Sequence, residues 1–424
     1  GRVQPPDGNH LEESGGDGGM KWEKVKLGDI ATFSNGINFN KTAYAKGIKL
    51  IGVSNFGDRF YPDYSQLQEV KKDIVRLEDC LRNGDIVFVR SNGNKELVGR
   101  CMLVKNPTER VTYSGFCIRA RLNDTDRYDP VYFTYYFKSK AFRRAVSGTA
   151  VGANIQNLSQ ARLSNHECRI PSIEVQHRIA DILSVYDDLI ENNQKQIKLL
   201  EEAAQRLYKE WFVDLRFPGH ENTKIVDGVP EGWNECTVES FGTVITGKTP
   251  PTSNKEYYTN GKVPFVTIPD MHNVVYPLKT EKRLTIEGAQ TQKNKYIPPN
   301  SVMISCIGTV GLVSIATEVC QTNQQINSII LNNEDDLYFF YESMLRMKDL
   351  LDGLGSNGAT MTNVNKSKLE KLIIISPSKD IVKQYNDVCK PLFESALNLS
   401  RKNVYLKNMR EALLPKLMSG EAEV

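Results

Sequence analysis

The stretch of sequence that decides the fold is written twice in this chain. Residues 151–163 read VGANIQNLSQARL, and residues 357–369 read NGATMTNVNKSKL. The alignment of these two stretches continues without a gap to the C-terminus, so both belong to a long internal repeat. Four residues recur in step, because Gly152, Ala153, Asn157 and Leu163 return as Gly358, Ala359, Asn363 and Leu369.

Earlier blocks of the two halves match in the same order. WEKVKLGDIATFSNG from Trp22 parallels WNECTVESFGTVITG from Trp233, and LRNGDIVFVRS from Leu81 parallels IPPNSVMISCI from Ile297. Short β-branched runs that follow turn residues are typical of strands. Each half is therefore predicted to begin with an α+β domain that holds a small, curved antiparallel sheet. A helix is predicted over 132–147 of the first domain.

Each half is predicted to end in a long helix with an apolar seam. Apolar residues are spaced alternately by four and three positions for more than four heptads, which indicates a helix that packs against a partner helix. In the first helix the seam is Ile179, Leu183, Tyr186, Ile190, Asn193, Ile197, Leu200, Ala204, Leu207 and Trp211. In the second it is Tyr385, Cys389, Leu392, Ala396, Leu399, Asn403, Leu406, Arg410, Leu413 and Leu417.

One polar residue in each seam suggests how the helices pair. If they run antiparallel with Ile179 opposite Leu417, Asn193 falls opposite Asn403 and both amides are satisfied. The alternative is two independent surface helices. The predicted fold class is α+β, with two pseudo-twofold-related α/β domains separated by two long antiparallel helices that form a coiled-coil spacer. About 33 paired residues would span roughly 50 Å, which is longer than the ~34 Å turn of B-DNA.

These patterns divide the chain into five segments. Residues 1–19 are expected to be an irregular leader foreign to the native chain, ahead of a native Met20. Residues 20–173 form the first domain and residues 174–215 the central helix. Residues 216–378 form the second domain, and residues 379–424 the C-terminal helix.

Composition excludes several classes of protein. No apolar run is long enough to span a bilayer, and no secretory signal is visible. The eight cysteines form no CxxC pair, so we expect buried free thiols in a reducing cytoplasm. The five histidines show no metal-binding spacing, so no metal ligand is predicted.

The charge is distributed unevenly between the two domains. Residues 20–173 hold 25 basic and 15 acidic residues, whereas residues 216–378 hold 15 basic and 17 acidic ones. The first domain is basic enough to favour a polyanionic partner. The second is not, so any nucleic-acid function of that domain requires a local basic patch.

Motifs for catalysis are missing from the sequence. There is no Asn/Asp-Pro-Pro-aromatic tetrad for an extruded base, no GxxxxGK[ST] and no GxGxxG after a strand. The stretch PDYSQLQEVK, with Asp63, Glu69 and Lys71, carries the letters of a nuclease metal site. It is polar and its carboxylates are close in sequence, so a solvated loop is the preferred interpretation. No catalytic residue is predicted.

Polar loops at matching points of the two halves are the candidates for binding DNA. Arg suits guanine edges, Asn and Gln suit adenine edges, and Lys and Ser suit bases or phosphates. Plain turns are the alternative for each loop, and a purely structural role is favoured for Gly152 and Gly358. The candidates are Ser34, Asn35, Asn38, Lys41, Arg90, Ser91, Asn92, Asn94, Lys95 and Asn154 in the first half, and Thr246, Lys248, Thr249, Thr252, Lys255, Asn323, Gln324 and Thr360 in the second.

Several longer stretches resemble the specificity (S) subunit of type I restriction-modification systems, from Met20 to the C-terminus. They are VPEGW from Val229, RIPSIEVQHRIADILSVYDDLI from Arg169, RLYKEWFVDLRFPG from Arg206 and ISPSKDIVKQYNDVCKPL from Ile375. The resemblance implies two target-recognition domains, each reading one half of a split site in double-stranded DNA. It also implies that the helices act as a spacer. Arg410 and Asn403 make the second helix less regular than the family pattern.

The resemblance also implies partners for a non-catalytic chain in the cytoplasm of a bacterium or archaeon. Two methyltransferase (modification) subunits would dock on the helices and use S-adenosylmethionine. Restriction subunits, if present, would use ATP and Mg²⁺. A basic patch built from residues such as Lys248, Lys255 and Lys262 would be needed in the second domain. A helical scaffold that does not read DNA is the alternative function, and a self-sufficient methyltransferase or nuclease is the third.

Overall fold

The chain divides into two compact units in the computed structural model. The structure describes residues 22–57, 59–92, 97–147, 157–355 and 363–422. Unit 1 combines Gly1–Leu189 with Leu406–Val424, and unit 2 is Ile190–Tyr405. Each unit therefore holds one domain together with a part of each long helix.

The described residues of the first half form nine strands and four short helices, followed by the first long helix. The strands are β1 (Glu23–Lys26), β2 (Ala31–Asn35), β3 (Tyr44–Ile51), β4 (Gln68–Val70), β5 (Ile86–Val89), β6 (Cys101–Leu103), β7 (Val111–Tyr113), β8 (Cys117–Leu122) and β9 (Glu167–Ile170). The helices are α1 (Leu27–Ile30), α2 (Pro130–Lys138), α3 (Lys140–Ser147), α4 (Gln160–Ser164) and the long α5 (Ile173–Tyr208).

The second half follows the same order in its described residues, with two strands and two helices added. Its strands are β10 (Ile225–Val226), β11 (Val229–Pro230), β12 (Asn234–Thr237), β13 (Gly242–Thr246), β14 (Val263–Val266), β15 (Lys282–Leu284), β16 (Val302–Ser305), β17 (Val313–Ile315), β18 (Gln321–Thr322), β19 (Ile326–Leu331) and β20 (Ile373–Ser376). Its helices are α6 (Val238–Phe241), α7 (Ile268–Met271), α8 (Ile286–Gln290), α9 (Leu337–Arg346), α10 (Lys348–Gly355), α11 (Lys366–Glu370) and the long α12 (Lys379–Ser419). The added elements are β10, β11, α7 and α8.

The two units share one sheet topology. A four-stranded antiparallel sheet has the order β2-β8-β5-β6 in unit 1 and β13-β19-β16-β17 in unit 2. A second sheet, of order β4-β3-β7 or β15-β14-β18, contains one parallel pair in each unit. The four-stranded sheet of each unit agrees with the predicted antiparallel sheet, whereas the second, mixed sheet was not predicted. Several of its strands have only two or three residues, too few to show a pattern in sequence.

Helix 132–147 was predicted as one helix, and the structure shows two. The first, α2, begins at Pro130, where the Asp129 side chain accepts a hydrogen bond from the Val131 N–H. Ser139 then adopts an extended conformation, and its hydroxyl accepts a hydrogen bond from the Phe142 N–H. Ser139 therefore ends α2 and caps α3.

The repeated stretch quoted first ends in matching helix starts. Ser159 caps α4 by accepting from the Arg162 N–H, and Asn365 caps α11 by accepting from the Lys368 N–H. Leu163 and Leu369, at equivalent positions of these helices, are fully buried. The repeated stretch therefore provides a helix cap, Ser or Asn, and a buried leucine in each unit.

The long helices pair within each unit. In unit 2 the Asn193 amide donates to the Asn403 side-chain oxygen at 2.8 Å, and the Tyr385 hydroxyl donates to the Ala204 carbonyl at 3.1 Å. The order of these contacts is antiparallel, and the predicted Asn pair is confirmed. In unit 1 the Arg410 guanidinium pairs with the buried Asp187 carboxylate. These contacts contradict the alternative of independent surface helices.

The seam residues differ in how deeply they are buried. Ile179, Leu183, Ile190, Asn193, Ala204, Tyr385, Cys389, Ala396, Asn403, Leu406 and Leu417 are buried. Tyr186, Ile197, Leu200, Leu207, Trp211, Leu392, Leu399, Arg410 and Leu413 are half-buried. The predicted seam residue Tyr186 is half-buried, whereas the next residue, Asp187, is buried and pairs with Arg410. After Tyr208 the chain continues as a π-helical turn, Lys209–Val213.

The remaining structural predictions concern cysteines and membrane spans. All eight cysteines are free thiols, and all but the half-buried Cys236 are buried. Burial raises the pKa of the Cys101 and Cys306 thiols to about 11. Among the described residues, no helix is both long and apolar enough to cross a membrane.

Candidate nucleic-acid interface

In unit 1, three loops and the segment before α4 are joined at one end of the four-stranded sheet. After β2, the Ile37 N–H donates to the Tyr113 carbonyl at 2.9 Å and the Gly36 N–H donates to the Cys117 carbonyl at 3.2 Å. After β5, the Arg90 N–H donates to the Phe116 carbonyl at 2.8 Å. Before α4, the Leu158 N–H donates to the Arg90 carbonyl at 2.8 Å, and Asn157 forms a β-bridge with Ser91.

Unit 2 repeats these backbone contacts at equivalent positions. Lys248 N–H donates to the Thr322 carbonyl and Gly247 N–H to the Ile326 carbonyl, each at 3.0 Å. The Cys306 N–H donates to the Gln325 carbonyl at 2.8 Å, and the Val364 N–H donates to the Cys306 carbonyl at 2.9 Å. Asn363 forms a β-bridge with Ile307. The same backbone framework is therefore present in each unit, where it holds that unit's polar loops.

Glycine is required at one position of this framework. A Cβ added to Gly36 would lie 2.2 Å from the Tyr113 carbonyl oxygen, and one added to Gly247 would lie 2.2 Å from the Asn323 carbonyl oxygen. These distances are far below van der Waals contact, so no other residue fits without moving the neighbouring loop. The glycine lets the loop after the first strand approach the turn before β8 or β19 closely.

Comparisons with known proteins show which family this chain is similar to. A family model described as the type I restriction modification DNA specificity domain matches residues 20–202 and again residues 230–404. The chain is 31% identical to the type I restriction enzyme HindI specificity subunit of Haemophilus influenzae, over 94% of this chain and 99% of that relative. It is 29% identical to the MjaIX specificity subunit of Methanocaldococcus jannaschii, over 77% of this chain and 76% of that relative.

This chain belongs to the type I restriction-modification DNA specificity family. It carries the specificity domain twice, in agreement with the internal repeat. Its fold is similar to that of the type I restriction-modification system S subunit from M. genitalium, with a TM-score of 0.55 at 16% identity over 96% of this chain and 98% of that chain. The fold class and the family resemblance predicted from the sequence are confirmed.

The first specificity domain brings several candidate residues together and leaves others apart. Asn35 and Asn38 are exposed beside the framework, and the Arg90 guanidinium donates to the Gly115 carbonyl at 3.2 Å. Ser91 and Asn92 follow Arg90 and are half-buried. Lys41 is exposed in a 3₁₀ turn that leads into β3, away from the framework bonds. Asn94, Lys95 and Asn154 lie outside the described residues.

Ser34 has a structural partner in the first domain. Its hydroxyl lies 2.7 Å from the Tyr113 hydroxyl, and either atom can be the donor. Burial raises the pKa of Tyr113, so this phenol remains protonated and available for the hydrogen bond. Ser34 is therefore already engaged in joining β2 to the turn that precedes β8.

The second specificity domain has a more extensive polar network. Thr246 donates to the Asn327 side-chain oxygen at 2.7 Å, and Thr249 donates to the Gln324 side-chain oxygen at 2.5 Å. Asn323 donates through its amide to the Gln325 side-chain oxygen at 2.9 Å. The Thr249 contact joins the loop after β13 to the turn before β19, whereas the Thr246 contact links β13 to β19 and the Asn323 contact lies within the turn.

The remaining candidates of the second domain lie on its surface. Lys248 is exposed on the framework, whereas Thr252, Lys255 and Lys262 are exposed on the segment that leads to β14. Their placement on a single basic patch stays a prediction. Thr360 lies outside the described residues.

Phe116 and the basic residues of α3 were not among the residues predicted to bind DNA. Phe116 is 63% exposed in the turn before β8, close in the framework to residues that were predicted to bind DNA. Lys140 and Arg144 are exposed on α3. The α3 sequence KAFRRAVS indicates a basic helix face, but nothing in the sequence indicates that Phe116 is exposed.

The stretch that carries the letters of a nuclease metal site does not bring its carboxylates together. Asp63 caps the 3₁₀ turn Tyr64–Gln66 and pairs with Arg59, while Glu69 accepts a hydrogen bond from the Gly47 N–H at 2.6 Å. The two carboxylates are thus committed to separate structural partners. Within the described ranges, no group of three His, Cys, Asp or Glu side chains could hold a metal ion.

Proposed function

We propose that this chain is the non-catalytic specificity subunit that directs a type I restriction-modification complex to a split DNA site. Each domain would read one half of the site, with bases of unspecified sequence between the halves. The observation that carries this proposal is the single backbone framework that holds different polar side chains in two copies of the family's DNA specificity domain. A fixed frame with exchangeable side chains suits direct readout of bases.

The chemistry would come from partner chains. Two methyltransferase subunits would dock on α5 and α12 and bind S-adenosylmethionine. Restriction subunits, where the system has them, would bind ATP and Mg²⁺. The naming of the Haemophilus relative as a specificity subunit of a restriction enzyme supports this division of labour. Relatives in a bacterium and an archaeon support action in the cytoplasm, where chromosomal DNA is accessible.

Mapping methylated bases tests the proposal directly. The full chain is expressed with its methyltransferase subunits in a host without other methylation, and modified positions in the host DNA are mapped. The expected result is two short defined sequences separated by a gap of constant length. A single continuous recognition sequence would contradict the assignment of one half-site to each domain.

Binding measurements separate this function from the alternatives. The assembled complex is expected to bind its mapped site more tightly than a scrambled duplex, with an affinity that falls as salt rises. A helical scaffold would show no preference between the two duplexes. Binding of S-adenosylmethionine by the isolated chain would instead favour a self-sufficient methyltransferase.

A further inference from the structure

In each unit, the turn that leads from the second sheet to the four-stranded sheet is fixed by equivalent backbone contacts. It comprises Tyr113–Phe116 in unit 1 and residues 322–325 in unit 2. The carbonyl of its last residue accepts from Arg90 or Cys306, at 2.8 Å in both cases. In unit 1 the Gly115 N–H also donates to the Ile37 carbonyl at 2.7 Å. The backbone of the turn is therefore held in the same way whatever side chains it carries.

The side chains of the turn differ at every position, and each turn exposes one of them. YSGF in unit 1 corresponds to TNQQ in unit 2. Phe116 is the exposed residue of the first turn, whereas Gln324 is the exposed residue of the second. Gln325, which is equivalent to Phe116, is half-buried and held by the Asn323 amide. The exposed side chain is thus displaced by one residue between the two units.

A neighbouring position changes together with the turn. A Cβ on Gly115 would lie 2.0 Å from the Asn38 side-chain oxygen, so Asn38 occupies the space above the glycine. At the equivalent positions of unit 2, the smaller Thr249 donates to Gln324 at 2.5 Å. In unit 1 the Asn38 side chain fills the space above Gly115 and Phe116 is the exposed side chain, whereas in unit 2 Thr249 leaves room for Gln324 and donates to its side-chain oxygen.

We propose that the exposed residue of each turn reads a base, as a deepening of the proposed function on which it rests. Phe116 would contact the methyl group of a thymine in the half-site of the first domain, since an apolar ring matches that group in the major groove. Gln324 would pair with an adenine in the other half-site, since its amide can accept from N6 and donate to N7. The Thr249 hydroxyl holds the Gln324 oxygen and leaves its second lone pair for this contact.

Single substitutions in the full chain, assembled with its methyltransferase subunits, test both assignments. Phe116→Ala is expected to relax the requirement for thymine at one position of one half-site, by roughly 5- to 100-fold in relative methylation rate. Phe116→Leu retains an apolar contact and is expected to keep most of that preference. Gln324→Glu is expected to shift the other half-site from adenine towards cytosine, whose N4 donates to a carboxylate.

Matched controls and the wild-type map make the outcomes distinguishable. Leu77→Ala removes another exposed apolar side chain of unit 1, outside the turn, and is expected to change no base preference. If Phe116→Ala behaves like Leu77→Ala, or weakens methylation of all sequences equally, the turn does not read bases. If the wild-type complex itself shows no split site, the proposed function fails instead.

Discussion

At the scale of single residues, Glu342 is a buried carboxylate without a full set of partners. It lies on α9, is 1% exposed, and its Oε2 has no hydrogen-bond partner among the described residues. Burial raises its pKa to about 8, and Glu201 of α5 adds to this rise through its charge. Burial likewise raises the pKa of Glu201 to about 7. The folded state therefore holds Glu342 protonated near neutrality.

Replacing Glu342 by Gln is predicted to change how stability depends on pH. A raised carboxyl pKa means that the folded state binds the proton more tightly than the unfolded state. The contribution of Glu342 to the free energy of unfolding should therefore fall from about pH 5 towards pH 8, with a slope of at most about 1.4 kcal/mol per pH unit. Glu342→Gln should flatten that fall and stabilise the protein at pH 8.

Denaturant unfolding at a series of pH values measures this effect. Glu239→Gln, which changes an exposed carboxylate of the same unit, serves as the control and should leave the slope unchanged. Equal slopes for wild type and Glu342→Gln would show that the buried carboxyl does not contribute to the pH dependence.

At the scale of elements, the two units attach their domains to the long helices by different chemistry. In unit 1 the Tyr135 hydroxyl of α2 donates to Asp187 at 2.6 Å, and Arg410 of α12 pairs with the same carboxylate. In the 206-residue frame of the repeat, the equivalent residues of unit 2 are Tyr341, Phe393 and Ala204. Tyr341 and Phe393 pack edge to face with ring centroids 5.6 Å apart. One interface is ionic and the other is aromatic.

Removing one charged partner of the ionic interface in unit 1 is predicted to destabilise the protein strongly. Asp187→Ala should lower the free energy of unfolding by about 3–5 kcal/mol, because it leaves the Arg410 guanidinium half-buried without its counter-charge. The double variant Asp187→Leu with Arg410→Met should recover much of that loss, since neither charge is then buried. Chemical denaturation of the single and double variants measures the coupling between the two residues.

An exposed ion pair of the same unit provides the comparison. Glu23 and Arg127 pair at 2.8 Å with both side chains more than half exposed, so Glu23→Gln should destabilise the protein much less than Asp187→Ala. A loss for Asp187→Ala no larger than that for Glu23→Gln would mean that the buried triad does not hold the domain to the helices.

The helix seam shows what the sequence could and could not predict at this scale. The Asn193–Asn403 pair was predictable because both residues interrupt the same apolar heptads at matching register. Arg410 was interpreted as an irregularity, because its partner Asp187 lies one position off the predicted seam. Phe116 was missed because exposure within a turn leaves no periodic pattern. The second sheet was missed because its strands are too short to show alternation.

At the scale of the whole molecule, the buried polar pairs require both halves of the chain. In the repeat frame Asn193 corresponds to Leu399, and Asn403 corresponds to Ile197. Asp187 corresponds to Phe393 and Arg410 to Ala204. Neither long helix therefore carries both members of a pair, so each polar group in the seam finds its partner only on the other half. This division makes the two halves chemically complementary rather than identical.

The two halves also differ in charge, and this difference predicts how the chain contributes to salt-dependent binding. The α3 sequence KAFRRAVS is basic, whereas its counterpart α10 reads KDLLDGLG. If Lys140 and Arg144 neutralise phosphates, replacing both by Gln should weaken binding of the assembled complex to all duplexes alike. The slope of log K against log salt should become shallower by about 2, while the mapped recognition sequence stays the same. Lys348→Gln in α10 is the matched control, and titrations at several salt concentrations measure the slopes. A changed recognition sequence in the α3 variant, or an equal effect of Lys348→Gln, would contradict a phosphate contact confined to the first domain.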